Sequence, residues 1–239
     1  MLNRIVAISL CLAVPAWCGD INFTSGLGSV NFVPGAGSVS FSQGAPAAPS
    51  GNSDTFTDSD DTLLATHNSN WVDIGSPYVA SQCEVISNAI RVVSDYPHCG
   101  VMYNTSSSDV SQIVVKAYTD QTVEKGPCVR AGNGAGDQLM GYCAYLLNAS
   151  GGNWTEATIY KSGSYLGAFT ALSYAQASDH TLKLTASGTS TVTLELFVDG
   201  ASLGTKTDAT SPHTSGKPAF RTRGNVVASQ SDVDSWQDY

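Results

Sequence analysis

Charge is what this chain has least of. Only 13% of its 239 residues are charged, against roughly 25% in ordinary globular domains. Eleven Lys and Arg face 20 Asp and Glu, a formal net charge of −9, and no run of basic residues offsets the deficit. Phosphate backbones are repelled by such a chain, which argues against a nucleic-acid partner. Glutamate is limited to Glu84, Glu124, Glu156 and Glu195, too few for a coiled coil or a long-helix protein. Apolar runs are also short: none reaches the roughly 18 residues that a membrane-spanning helix needs. What remains is plentiful in small polar residues, with 31 Ser, 21 Thr and 23 Gly. A Ser/Thr/Gly-rich β-protein fits, with enough length for one large domain or two small ones.

The ends indicate a compartment. Residues 1–17 read as a signal peptide: Arg4 precedes an apolar stretch from Ile5 to Val14, and cleavage fits after Ala16 or after Cys18. The mature chain is therefore expected to be secreted. Four further cysteines, Cys83, Cys99, Cys128 and Cys143, allow three pairings. Short loops between neighbouring strands favour Cys83–Cys99 and Cys128–Cys143, and export favours disulfides over a zinc site. A zinc site would need a CxxC pair with histidines at ligand spacing, and His67, His98, His180 and His213 do not supply it.

Residues 18–44 hold three nonapeptides, CGDINFTSG, LGSVNFVPG and AGSVSFSQG. Each has Gly second and ninth, Ile or Val fourth, and Phe sixth (Phe23, Phe32 and Phe41). That period suits a β-arch closed by glycine turns, and a flexible stalk suits it equally. Three units bury little alone, so self-association through this repeat is expected. Residues 45–53, APAAPSGNS, form a Pro/Ala/Ser linker.

From residue 54 to 239, short β-rich segments alternate with turn residues. Strands are predicted at Tyr78–Cys83, Ala89–Val93, Ile113–Tyr118, Leu139–Leu147, Glu156–Lys161, His180–Ala186 and Thr191–Val198. The clearest hairpin joins TLKLTA to TVTLELFV, with Lys183 expected opposite Thr193 or Glu195. Many antiparallel strands and no helical period imply an all-β sandwich or jelly roll.

Several short motifs carry a resemblance. Asp54-Thr55-Phe56-Thr57 is followed by Asn70-Trp71; Phe197-Val198-Asp199-Gly200 ends the late hairpin. Then come Ser215-Gly216-Lys217-Pro218, Phe220-Arg221-Thr222 and a closing Val233-Asp234-Ser235-Trp236. Together they resemble concanavalin A-like (laminin-G-like) jelly-roll domains across nearly all of 54–239. The resemblance implies a sandwich of two antiparallel sheets. It also implies a structural Ca²⁺ near the chain ends, with Asp234 at the last-strand position and Asp54 as the nearby carboxylate. The run Asp58-Ser59-Asp60-Asp61 lacks the Gly and terminal Glu of an EF-hand and reads as a solvated turn.

Chemistry is sparse. Glycosidases of this fold class flank the scissile bond with two carboxylates, yet no glutamate here has an acidic neighbour two or three positions away. No Gly-x-Ser-x-Gly elbow is present for a serine nucleophile. No catalytic residue is assigned, and no two carboxylates are expected to face each other across a groove. Saccharide binding needs flat aromatic faces beside hydrogen-bonding side chains. Tyr142, Trp154, Tyr160 and Tyr165 are the aromatic candidates, and the resemblance implies a polar group of the binding face at Arg130, just after Cys128.

The sequence therefore reads as a secreted, non-catalytic carbohydrate-binding module whose partner is a glycan or cell-surface polysaccharide. A structural or adhesive surface protein is the alternative, and a polysaccharide hydrolase or lyase with an unfamiliar site is the third reading. Sequons stand at Asn22, Asn104, Asn148 and Asn153.

Overall fold

The computed structural model describes residues 6–11, 18–23, 30–32, 39–41, 51–74, 82–92, 98–117, 124–132, 141–223 and 233–239. The chain divides into two units, 1–50 and 51–239. In the first, β1 (Val6–Cys11) pairs antiparallel with β2 (Cys18–Phe23). β3 (Val30–Phe32) and β4 (Val39–Phe41) are the Val-x-Phe cores of the second and third nonapeptides, paired antiparallel with Val30 opposite Phe41. The remaining residues of the expected signal peptide (1–17), nonapeptide repeat (18–44) and linker (45–53) up to residue 50 lie outside the described residues.

The second unit is a sandwich. Its nine-stranded sheet runs β18 (Ala201–Asp208), β17 (Val192–Val198), β16 (His180–Ser187), β11 (Val110–Val115), β20 (Val233–Gln237), β9 (Ala89–Val92), β8 (Cys83–Ile86) and β6 (Thr62–Leu63), with β5 (Ser53–Asp54) also paired to β20. Its seven-stranded sheet runs β15 (Ser164–Ala175), β14 (Asn153–Lys161), β13 (Tyr142–Ser150), β12 (Glu124–Ala131), β19 (Lys217–Arg223), β10 (His98–Tyr103) and β7 (Trp71–Asp73). Among the described residues the strand pairings within the two sheets are antiparallel, as the jelly-roll expectation requires. One helical turn, α1 (Leu64–His67), links β6 to β7 and buries Leu64.

Alternation explains the clearest strands. β16 and β17 bury every second residue, so Leu182, Leu184, Leu194 and Leu196 are fully buried. Burying each such side chain stabilises the fold by about 1.5–3 kcal/mol relative to exposure. The register differs from the expectation: Lys183 lies opposite Phe197, and Thr185 takes the place opposite Glu195. Pairing Leu184 with Leu196 keeps the apolar sets together, and Lys183 Nζ then sits 4.0 Å over the Phe197 ring. Between the sheets, Phe56, Trp71, Phe220 and Trp236 form an aromatic centre in which Trp71 lies 4.8 Å from Trp236 and 5.2 Å from Phe220, edge-on to both.

Both disulfides are present. Cys83–Cys99 ties β8 of one sheet to β10 of the other, and Cys128–Cys143 ties directly opposed residues of β12 and β13. Strands β6, β7, β10, β12, β15 and β18 were not foreseen, and the segment expected as Tyr78–Cys83 becomes a strand only from Cys83, with 75–81 outside the described residues.

Candidate functional site

Residues of the seven-stranded sheet divide between two faces. Val129, Tyr142, Ala144, Leu146, Ala157 and Ile159 point into the core between the sheets. Cys128, Cys143, Tyr145 and Ala219 form a second cluster on the outer face, with Leu147 and Tyr160 packed against it. On that outer face Tyr145, Tyr160 and Tyr165 follow one another across β13, β14 and β15. Tyr145 and Tyr160 have ring centroids 5.8 Å apart, and Tyr160 meets Tyr165 edge-on at 6.2 Å. Exposure rises along the row: Tyr145 is fully buried, Tyr160 half-buried, and Tyr165 is 64% exposed at the sheet edge.

Polar groups frame the row. Arg221 donates from Nη1 to the Tyr145 hydroxyl at 3.2 Å and pairs through Nη2 with Glu124 at 3.2 Å. Glu156 accepts from Asn148 at 2.8 Å and from the Thr158 hydroxyl at 3.1 Å. Burial, reinforced by the Glu124 and Glu156 carboxylates, pushes the Tyr160 phenol up and keeps it a neutral donor. Sequence reading missed Glu124, Glu156 and Arg221. The two glutamates lie on different strands, so spacing along the chain carried no signal. Glu156 is opposite Leu147 on β13. Glu124 shares the outer-facing parity of Cys128 on β12. Two inter-strand steps set their backbones about 10 Å apart, so two carboxylates share this face, although no groove among the described residues places them opposite each other.

Three of the five saccharide candidates stand inside the sandwich and offer no face to a sugar. Trp154 is fully buried in the inter-sheet core. The positive φ of Asn148 (50°) shifts the alternation there: Leu147 packs on the outer cluster, whereas Ala149, opposite Trp154, packs on the inner one. Tyr142 is fully buried and donates to Asp208 at 2.8 Å. Burial and that carboxylate push its phenol up, so it remains a donor. Arg130 occupies a bulge where β12 slips against β19 between Cys128 and Ala131, with φ 57°. Its guanidinium reaches Asp109 and the carbonyls of Gly188 and His213 and is buried. Tyr160 and Tyr165 alone of the five lie on the outer face.

The carboxylates expected to hold Ca²⁺ do not fit a cation. Asp54 Oδ1 accepts from His67 Nε2 at 2.9 Å and from the Phe56 N–H at 2.9 Å. Its Oδ2 accepts from Trp71 Nε1 at 2.8 Å and Asn68 Nδ2 at 3.4 Å. Donor hydrogens thus occupy the directions a cation would take. Asp234 pairs with Lys116 Nζ at 2.9 Å, and no group of three or more His, Cys, Asp or Glu could hold a metal among the described residues. Asp54 and His67 instead line an open polar depression of about 550 Å³ beside α1.

Comparison with known proteins bears on the fold. No family model matches the chain, and no curated protein matches it. Among solved structures, a prokaryotic β-1,3-1,4-glucanase (lichenase) derived from a mouse hindgut metagenome is similar over 79% of this chain and 98% of that one, with TM-score 0.51 and 12% identity. The Bacillus licheniformis β-glucanase is similar over 79% and 97%, with TM-score 0.48 and 14% identity. The metal-free Emp46p carbohydrate recognition domain covers 75% and 94%, with TM-score 0.47 and 12% identity. At such identity the likeness is one of fold. The second unit is a concanavalin A-like jelly roll, and a fold by itself does not assign a function. No helix among the described residues is long and apolar enough to cross a membrane.

Proposed function

We propose that this protein is an exported carbohydrate-binding module that takes glycan on the outer face of its seven-stranded sheet. The observation that carries the reading is the step from exposed Tyr165 to half-buried Tyr160 beside Glu156. A sugar ring can lie on the Tyr165 face with a hydroxyl at the Tyr160 phenol, while a further unit of the glycan chain reaches the Glu156 carboxylate along β14. Two disulfides suit an oxidising compartment and support export. Screening the full chain on a glycan array, followed by titration of the best ligand, tests the reading. Tyr160→Ala/Tyr165→Ala should weaken binding at least about tenfold, or ~1.4 kcal/mol. Unchanged affinity in that variant, or no glycan bound at all, sinks it.

A second reading rests on Glu124 and Glu156 sharing that face. Two carboxylates on one face are the minimum equipment of a glycoside hydrolase. Each is already engaged, Glu124 by Arg221 and Glu156 by Asn148 and Thr158, so binding is preferred. Reducing ends released from β-glucans by the wild type, and lost in both Glu124→Gln and Glu156→Gln, would reverse that preference.

A further inference from the structure

A separate constellation lies where the β14–β15 hairpin meets the segment between β18 and β19. The hairpin turns through Ser162 and Gly163, both at positive φ (49° and 78°), the geometry of a two-residue primed turn. A non-glycine residue is uncommon there. The Ser162 N–H is fixed by the Gly141 carbonyl at 2.9 Å, and its Oγ lies 2.7 Å from His213 Nε2.

His213 is held from several sides. Its N–H donates to the Tyr142 hydroxyl at 2.9 Å, and its carbonyl accepts from Arg130 Nη1 at 2.9 Å. Its ring stands edge-on to Tyr142 at 5.3 Å. Lys161 anchors the preceding residues through the Thr210 and Ser211 carbonyls and pairs with Asp208 at 2.7 Å. The charged groups around the imidazole are therefore Lys161, Asp208 and Arg130, with Asp109 beyond on Arg130. Burial lowers the His213 pKa, helped by Lys161 and Arg130 and opposed by Asp208, so the ring is neutral at pH 7. With its proton on Nδ1, a neutral ring presents a lone pair at Nε2 to the serine hydroxyl. Both residues are half-buried, and Gly163, Ser164, Thr214 and Ser215 around them are exposed, so a substrate can approach.

We propose that Ser162 and His213 form a nucleophile–base pair that accepts an acyl group from short carboxylic esters. In the first step Ser162 Oγ bonds to the ester carbonyl carbon while His213 Nε2 takes the hydroxyl proton. The carbonyl–alkoxy bond then breaks, and the alcohol leaves with that proton. A water deprotonated by Nε2 cleaves the acyl-serine, releasing the carboxylic acid and restoring both side chains. Among the described residues no carboxylate bonds Nδ1, so the pair acts as a dyad without an orienting third member. A burst of one acyl group per chain, followed by slow turnover, is the expected kinetic form.

The test exposes the full chain to p-nitrophenyl acetate and to a fluorophosphonate probe, with peptide mapping by mass spectrometry. One acetyl or phosphonyl group should appear on Ser162. Ser162→Ala, which leaves the turn backbone in place, should abolish it, and His213→Gln should slow it at least about 100-fold. The wild-type rate should rise with pH and level off once His213 is deprotonated, below the usual histidine range. That profile carries the base assignment even if His213→Gln fails to fold. An unmodified wild type, modification elsewhere, modification that survives Ser162→Ala, or a rate flat from acid to neutral pH overturns the proposal.

Discussion

Arg130 grips Asp109 through two parallel hydrogen bonds, Nε to Oδ1 at 2.8 Å and Nη2 to Oδ2 at 2.7 Å. The fork runs from the bulge of β12 in one sheet to the residue that precedes β11 in the other. It spends on architecture a side chain whose sequence context pointed to ligand binding.

Replacing that side chain tests the assignment. Asp109 is 40% exposed in its side chain, so solvent screens the ion pair and its own contribution is small. The larger loss is the buried Gly188 and His213 carbonyls left without a donor. Arg130→Met should therefore cost about 2–3 kcal/mol, read as a lower urea midpoint with an unchanged slope. Arg130→Lys should recover little of it, because an ammonium cannot reproduce the planar fork.

Much of the sandwich was legible because burial on one face writes a period of two into the chain. β16 and β17 show it with Leu182, Leu184, Leu194 and Leu196. β12 was hidden because Gly126 and Pro127 look like breakers. Gly126 is instead required there: a Cβ would stand 1.7 Å from the Ala144 carbonyl oxygen. The site was legible only in part. Alternation says that Tyr142 and Tyr145 face opposite ways but not which way is in, and the irregularity at Asn148 moves Trp154 to the core without a residue that announces it. Glu124 and Arg221 meet across β12 and β19, whose 90-odd-residue separation no local pattern spans.

The two disulfides should separate stability from binding. They link residues 16 and 15 positions apart, so each should contribute about 3 kcal/mol by restricting the unfolded chain. Cys83→Ala/Cys99→Ala and Cys128→Ala/Cys143→Ala should melt at similarly lowered temperatures. Only the second pair underlies Tyr145 and Tyr160 in the outer cluster, so only its loss should also weaken glycan binding below the melting transition. Equal affinity in both variants would place the ligand elsewhere.

Acid should destabilise the domain in two stages. The folded pKa of His213 is depressed by burial, so the unfolded chain takes up its proton first. The neutral ring's advantage is present above the unfolded pKa of about 6.5 and declines as pH falls below it. Asp208 is lowered by Lys161 and Tyr142 against the opposing effect of burial. Its contribution is complete above about pH 4 and is lost as pH falls through its folded value. Melting temperature followed from pH 8 to pH 3 should therefore drop first near pH 6, and His213→Gln should remove that first step alone. A first step that persists in the variant assigns it to another group.

Trp154 and Tyr165 have similar sequence credentials and opposite surroundings. Trp154 is fully buried between the sheets, so Trp154→Ala should cost about 3–5 kcal/mol through lost burial and the cavity left behind. Tyr165 is 64% exposed and touches Tyr160 edge-on. Tyr165→Ala should shift stability by less than about 0.5 kcal/mol. Ligand affinity should respond in the reverse order: Tyr165→Ala weakens it, and the milder core variant Trp154→Phe leaves it intact at temperatures where the domain is folded. Thermal melts paired with titrations of each variant read both quantities on one sample. If Trp154→Phe lost binding while Tyr165→Ala kept it, the glycan would have to contact the far end of β14, and the outer-face tyrosines would be packing alone.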